Sequence, residues 1–342
     1  MLPMVSVVIP NWNGRKYLND CITSLRGQSH NNLEIIVVDN ASEDDSVEFL
    51  QKNFPEVIVI KHSKNLGFGG ANNTGIRTAH GKYIMMLNND TRLEPKCVEE
   101  LIKPIEKNER YGACASKILL QYEDNILDVA GIAVCLDGLS IGRGRLESGD
   151  KFNQEEEVFF ASDCGCLYKK EMLDDIGLTN EIYDEDFFAY ADETDMGWRA
   201  QLAGWKCIYS PQAVVHHYHS ASSGSYSSFK AFLVERNRIW VAVKSFPLSI
   251  LFLGIFYTFL RYFYQAFGAL TGKGAAGRFT KEANKFKLII ILIKANISAF
   301  LGLPKMLKKR KEIMKKKRIS NRGIYTLFKK FGISAREIAL KE

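Results

Sequence analysis

Four short runs of β-branched and apolar residues, Val5–Pro10, Leu33–Val38, Val57–Ile60 and Tyr83–Leu87, are separated by stretches whose apolar residues recur at helical spacing. That alternation is the strongest constraint on the fold. Strands joined through helices pair in parallel, and a parallel sheet must be covered on both faces. The helix expected near 16–27 carries Leu18, Ile22 and Leu25 on one face. Ser42 is suited to cap the next, which opens with Val47, Phe49 and Leu50. Further helices fit near 70–80 and 95–108. The expected class is therefore α/β, a mostly parallel sheet flanked by helices.

Ligands of such sheets bind beyond the carboxyl ends of the strands. Three of the four strand ends carry small polar groups: Asn11-Trp12-Asn13-Gly14, Asp39-Asn40-Ala41-Ser42 and Asn88-Asn89-Asp90. Each alone is ordinary turn chemistry. Three on one rim suit a ribose, a phosphate and a metal. The glycines of Asn65–Gly75 allow close backbone approach ahead of a helix, without P-loop or dinucleotide spacing. Phe187–Arg199 is dense in carboxylates and aromatics: Asp192, Glu193 and Asp195 either complement a helix start or supply a general base of raised pKa. Three histidines fall within 216–219 after a strand-like Ala-Val-Val, with a metal as their natural ligand.

Taken in order, the motifs resemble the inverting nucleotide-sugar glycosyltransferases of family 2, with the Rossmann-like GT-A fold. Within that family the chain is most similar to rhamnosyltransferase-type members. The resemblance covers roughly residues 4–245 and rests on Val7–Gly14, Val37–Ser42, Asn65–Asn73, Leu87–Asp90, Ala130-Gly131, Asp137-Gly138, Tyr183–Arg199, Ala203–Trp205, Pro211–His217 and Arg236-Asn237-Arg238. It implies a nucleotide pocket lined by Pro10, Asn11, Asn13, Asp39, Asn40, Ser42, Phe68, Gly69, Asn73 and Asn89. Asp90 and His217 would hold Mg²⁺ or Mn²⁺, and Glu193 would be the catalytic base with Asp192 beside it. Trp198, Arg199, Asp195 and the 162–168 segment are candidates for the acceptor site.

Two departures from the family pattern stand out. The acidic metal motif is reduced to Asn88-Asn89-Asp90, with one carboxylate. Mg²⁺ often needs no more than one or two carboxylates plus substrate phosphates. The acidic pair reads Asp192-Glu193 rather than Glu-Asp, so either can be the base; position favours Glu193. The implied chemistry is a single displacement, moving a sugar (dTDP-rhamnose preferred, UDP-hexoses next) to a lipid-linked polyprenyl glycan. A sugar-phosphate nucleotidyltransferase and an inactive nucleotide-binding scaffold are the alternatives.

Hydrophobic residues make up 46% of the 342 and charged residues 25%, which excludes collagen-like and disordered chains. The net charge of +7 is uneven: residues 301–342 hold 14 Lys/Arg against 3 Asp/Glu. Sixteen uncharged residues run from Ser245 to Leu260, short of the bilayer core as a helix; Leu288–Pro304 is a second apolar run, and Lys305–Arg318 follows as a basic one. These features suggest a helical hairpin lying in or dipping into the membrane interface, drawn to anionic lipid at the cytoplasmic face as a peripheral or monotopic enzyme, with a transmembrane hairpin and a buried soluble helical pair as the alternatives. No nucleic-acid partner is expected. Seven scattered cysteines and no signal-peptide pattern fit reduced thiols. The expected organisation is a catalytic domain over 1–227, a membrane-associated hairpin over 228–304 and a basic tail over 305–342.

Overall fold

The structure is a computed structural model that describes residues 2–219, 227–274, 276–278 and 285–340. The chain divides into two compact units. Unit 1 comprises residues 1–132, 142–200 and 205–220; unit 2 comprises 133–141, 201–204 and 221–342.

Unit 1 is built on one mixed, mostly parallel sheet. Its first half follows the sequence alternation: β1 (Val5–Asn11), α1 (Arg15–Arg26), β2 (Leu33–Asp39), α2 (Ser46–Asn53), β3 (Ile58–Lys61), α3 (Gly67–Thr78) and β4 (Tyr83–Leu87). β1 lies between β2 and β4 and is parallel to both, and β3 pairs in parallel with β2. Leu18, Ile22 and Leu25 of α1 are buried against Val5, Val7 and Ile9 in the main hydrophobic core. The register sets Asn11 opposite Asp39, so the last residues of two neighbouring strands meet at the rim.

The second half adds β5 (Thr91–Leu93), α4 (Cys97–Ile105), β6 (Tyr111–Leu120) and β7 (Leu127–Val129); then β8 (Ile132–Val134) and β9 (Ser140–Gly142), a separate two-stranded sheet mostly within residues 133–141 of unit 2; then β10 (Glu156–Val158), β11 (Gly165–Lys169), α5 (Lys170–Ile176), α6 (Asp192–Leu202) and β12 (Lys206–His217). The sheet order is β10-β12-β6-β11-β4-β1-β2-β3. β11 is antiparallel to both β4 and β6, and β12 is parallel to β6. The long β12 carries its last residue, His217, to the edge where β5 pairs with it.

Unit 2 is helical: α7 (Ser228–Ser245), α8 (Leu248–Thr271), α9 (Lys285–Leu301), α10 (Leu303–Lys316), α11 (Asn321–Phe331) and α12 (Ala335–Leu340). The uncharged run that ends at Leu260 suggests a helix too short for a bilayer, but α8 continues through Arg261 to Thr271. It can do so because Arg261 is neutralised internally. Its Nε donates to Asp137 Oδ2 at 2.6 Å and its Nη2 to Glu235 Oε2 at 3.0 Å. Arg238 and Tyr262 also bond Glu235, and Arg238 Nη1 donates to the Asp137 carbonyl at 3.0 Å. Ile250, Gly254, Arg261 and Gly268 form the buried face of α8. Phe252, Phe256, Phe259 and Phe263 form the opposite face and are 67–73% exposed.

α9 shows a second apolar stripe, with Phe286, Ile289, Ile293, Ile297 and Phe300 exposed. Among the described helices α8 is the one long and apolar enough to cross a membrane; residues 286–301 and 303–316 qualify only as a pair, bent by 58°. All seven cysteines are free thiols and buried, six in unit 1 and Cys135 in unit 2. Burial pushes the Cys21 and Cys135 thiols up to about 12.

Candidate active site

The rim beyond β1, β2 and β4 is laced by side chains. Asn11 Nδ2 donates to Asp39 Oδ2 at 3.0 Å and to Ser42 Oγ at 3.2 Å. The Ser42 N–H returns a bond to Asp39 Oδ1 at 3.0 Å, so both carboxylate oxygens are held. Asn13 and Ala41 take left-handed backbone conformations (φ 51° and 64°), turning the two loops toward each other. The Asn13 N–H meets Ser42 Oγ at 2.9 Å, and its Oδ1 accepts from the Glu43 N–H at 2.8 Å. Asn89 Nδ2 ties in the third loop through Asn11 Oδ1 at 2.7 Å. Gly14 is required at this knot, because a Cβ there would collide with Asn89 and Asn11. Pro10 is half-buried near the end of β1, and Trp12 stands 43% exposed just past the strand.

Two more of the expected ligand residues bind distant segments of the protein itself. Asn40 Nδ2 donates to Asn65 Oδ1 (2.9 Å) and to the Gly67 carbonyl (3.0 Å), and its Oδ1 accepts from the Leu66 N–H (2.9 Å). Asn73 Nδ2 donates to the Tyr183 carbonyl (2.9 Å) and Glu185 Oε1 (3.0 Å), while its Oδ1 accepts from two backbone N–H groups. Asn40 thus fixes the 65–67 loop, and Asn73 fastens the segment leading to α6. Phe68 packs edge-on against Tyr183 at 6.0 Å, and its N–H donates to the Phe188 carbonyl at 2.6 Å. That approach depends on Gly67, which has φ +77° and whose Cβ would strike the Phe188 carbonyl.

The chain enters α6 through Phe188, Tyr190 and Ala191, each at φ 66°. Three left-handed non-glycine residues mark strain held by the surrounding contacts. They bring Asp192 and Glu193 beside Asp163, which stands just before β11, and the three form a carboxyl cluster. Asp192 is 2% exposed, and neither carboxylate oxygen has a hydrogen-bond partner. Glu193 is half-buried. Asp163 is buried and accepts from the Tyr168 hydroxyl at 2.6 Å, while its second oxygen has no partner. Gly69 in the first turn of α3 faces this cluster: a Cβ there would lie 3.4 Å from Asp192 Oδ1. Burial, then the neighbouring Glu193 and Asp163, raise the Asp192 carboxyl well above its ordinary range. Burial also raises Glu193. Asp163 is pushed up to about 7 by burial and by Glu193, against the Tyr168 bond that favours its ionised form.

Asp163 was visible in the sequence only as part of a segment, yet it is a neighbour of the acidic pair. Its titration has a stability consequence. An Asp in the unfolded chain loses its proton near pH ~4. Between that value and about 7 the folded chain binds more protons, so stability is full below the window and falls as pH rises through it. Asp163→Asn keeps an acceptor for Tyr168 and removes the titration. Its melting temperature should match or fall below the wild type at pH 4 and exceed it by several degrees at pH 8. A difference independent of pH would show that Asp163 titrates normally.

The candidate acceptor residues lie deeper. Trp198, Asp195 and Arg199 are 0–2% exposed. Arg199 bonds Asp195 at 2.9 Å and the carbonyls of Ile176 and Ile182 at 2.9 and 2.7 Å. These contacts anchor α6 and leave no guanidinium face at the rim.

The metal candidates do come together. His217 Nε2 lies 3.3 Å from Asp90 Oδ1, and its Nδ1 is 2.7 Å from Asp128 Oδ2. Burial disfavours the imidazolium, but Cys164, Asp128 and Asp90 outweigh it and hold the His217 pKa well above its usual value. Among the described residues no group of three or more His, Cys, Asp or Glu is disposed to hold a metal. The one-carboxylate, one-imidazole pair nonetheless fits a hard divalent ion that takes its remaining ligands from water and phosphate. His216 and His219 are turned to other partners: His216 to Glu94 at 2.8 Å and His219 to Arg145 at 3.1 Å.

The sequence profile described as "Glycosyl transferase family 2" matches residues 6–177, half of the chain. The chain belongs to glycosyltransferase family 2. Chondroitin synthase of Escherichia coli is 38% identical to this family 2 chain over 110 residues, covering 31% of this chain and 16% of that protein. The chain spans between 16% and 40% of the length of three of the curated relatives it matches. Among solved structures, the mannosyltransferase PcManGT from Pyrobaculum calidifontis with GDP-Man and Mn²⁺ superposes with a TM-score of 0.54 at 14% identity, over 89% of this chain and 88% of that one. GalNAc-T7 with UDP, GalNAc and Mn²⁺ superposes with a TM-score of 0.59 at 18% identity, over 71% and 48%. At these identities the likeness is one of fold, and it agrees with the GT-A architecture expected of family 2.

Proposed function

We propose that the chain transfers a hexose from a nucleoside-diphosphate donor to a hydroxyl of a lipid-linked glycan, with inversion at the anomeric carbon. The observation that carries this reading is the buried carboxyl cluster at the start of α6, in the same unit as the Asp39 rim and the Asp90–His217 pair. A carboxylate that water stabilises poorly is a stronger base than one on the surface. Glu193, the less buried of the acidic pair, takes the acceptor hydroxyl proton as the oxygen bonds to the anomeric carbon. The bond from that carbon to the donor phosphate breaks in the same step, and the nucleoside diphosphate departs. One base suffices, and no covalent nucleophile is needed.

Pro10, Asn11, Asn13, Asp39, Ser42 and Asn89 would line the nucleotide pocket, with Phe68 and Gly69 closing it. Asn40 and Asn73 support it from behind. Asp90 and His217 would hold Mg²⁺ or Mn²⁺. When bound there, the cation supplies positive charge to the departing diphosphate. The resemblance of the motifs favours dTDP-rhamnose as donor. Use of nucleoside-diphosphate donors is supported by the UDP and GDP-Man ligands of the structural neighbours.

The membrane surface is the proposed place of action, at the cytoplasmic face as a peripheral or monotopic enzyme. Exposed phenylalanines and isoleucines on α8 and α9 stand on helices followed in sequence by the basic run 305–318. Exposed apolar side chains in such number seek a partner, and the cations that follow in sequence match anionic lipid.

A nucleotide-release assay tests the reading, with dTDP-, UDP- and GDP-sugars, Mn²⁺ or Mg²⁺, and polyprenyl-linked acceptors. Metal-dependent release from one donor is the expected result. Silence together with no nucleotide binding would instead favour an inactive scaffold.

A further inference from the structure

Asp128 was not among the residues the sequence singled out, yet the sheet delivers it to the site. The short strand β7 pairs antiparallel with β6, setting Val129 opposite Ile118 and Leu127 opposite Leu119. β6 in turn runs parallel to β12, with Leu120 opposite His217. Asp128 is 5% exposed, and both its oxygens are occupied. Oδ2 lies 2.7 Å from His217 Nδ1, and Oδ1 accepts from Arg145 Nη1 at 2.5 Å. Arg145 Nη2 reaches on to His219 Nε2 at 3.1 Å. The result is a chain of contacts running Asp90, His217, Asp128, Arg145, His219.

We propose that Asp128, held by Arg145, is the positioning residue of the metal pair: by accepting from His217 Nδ1–H it aims Nε2 at Asp90, so that Nε2 is the nitrogen whose proton a cation would displace. A histidine ligates through one nitrogen only when the other carries the proton, and the acceptor of that proton fixes both the tautomer and the ring orientation. A carboxylate acceptor also makes the ligating nitrogen more electron-rich. With one carboxylate on the metal side instead of two, the donor strength of the imidazole matters more. Asp128 does not ligate, since its oxygens are spent on His217 and Arg145. The guanidinium offsets its charge, so the burial is balanced.

This inference rests on Asp90 and His217 holding the cation, and the experiment separates the two claims. Mn²⁺ alone is titrated into the full chain and followed by electron paramagnetic resonance, with spin-echo modulation reading ¹⁴N coupling from a ligating imidazole. The wild type should bind Mn²⁺ with ¹⁴N coupling, and both Asp90→Ala and His217→Ala should lose binding. Asp128→Asn should weaken Mn²⁺ binding by about 10- to 100-fold, with a weakened ¹⁴N signature. Wild-type affinity and coupling in Asp128→Asn would overturn the positioning role and leave the metal pair standing. No Mn²⁺ binding by the wild type, or unchanged binding in Asp90→Ala, would overturn the metal pair and the inference with it. Should Asp128→Asn fail to fold by thermal melting, Arg145→Gln at a partly exposed position carries the test. It should lower affinity severalfold, and unchanged affinity would refute the role.

Discussion

Glu193→Gln is expected to lower sugar transfer by about 10²- to 10⁴-fold, the range typical of losing a positioned general base. Nucleotide binding should survive, because Asp39, Asn11 and Ser42 hold one another without help from α6. Binding and turnover measured on the same preparation check both halves. The wild-type rate should also fall with acid at a pH above the ordinary carboxylate range. Burial raises Glu193, and only its ionised form accepts a proton. Asp192→Asn is the discriminating partner. Near-normal transfer in Glu193→Gln with collapse in Asp192→Asn would move the base to Asp192, whose unpartnered carboxylate is the more deeply buried of the two.

Arg261→Leu should be the most damaging change to stability outside the core of unit 1. The substitution leaves Asp137 and Glu235 buried with Arg238 as their only remaining guanidinium among the described residues. Removing one member of a buried ionic group costs about 3–5 kcal/mol, because the partner charges stay behind unpaired. Against a total stability of roughly 5–15 kcal/mol, that is a large share. Thermal and urea melts of the variant should show it directly. Arg261→Leu combined with Glu235→Gln should recover part of the loss by discharging one of the two acids. If Arg261→Leu melts with the wild type, the group contributes nothing to stability.

The two halves of unit 1 were not equally legible. The strands over 5–87 announce themselves by period, and α1 buries the residues its spacing indicated. The rim residues followed, because a strand's end is also a position in the sequence. What escaped were the internal hydrogen-bond and charge partners that individual side chains find far along the chain. Asp128 meets His217 across 89 positions, and nothing local in Leu-Asp-Val marks it as the acceptor for a histidine. Asn40 and Asn73 have the side chains a ligand would want, and only the fold reveals that other backbone segments use them. Arg261 looks like an interruption in an apolar helix until Asp137, 124 positions earlier, is found beside it. Charge in a sequence is read as exposed by default, and buried compensation is invisible there.

The complete burial of the thiols gives the molecule a built-in clock. A thiol reagent acts on accessible thiolates, and here burial both hides the sulfurs and suppresses their ionisation. Labelling can therefore proceed only as fast as the chain opens, so its rate measures opening instead of cysteine chemistry. Cys135 sits alone in the helical unit, with the other six in the sheet unit. Peptide-resolved alkylation would accordingly time the opening of each unit separately, from a single wild-type sample.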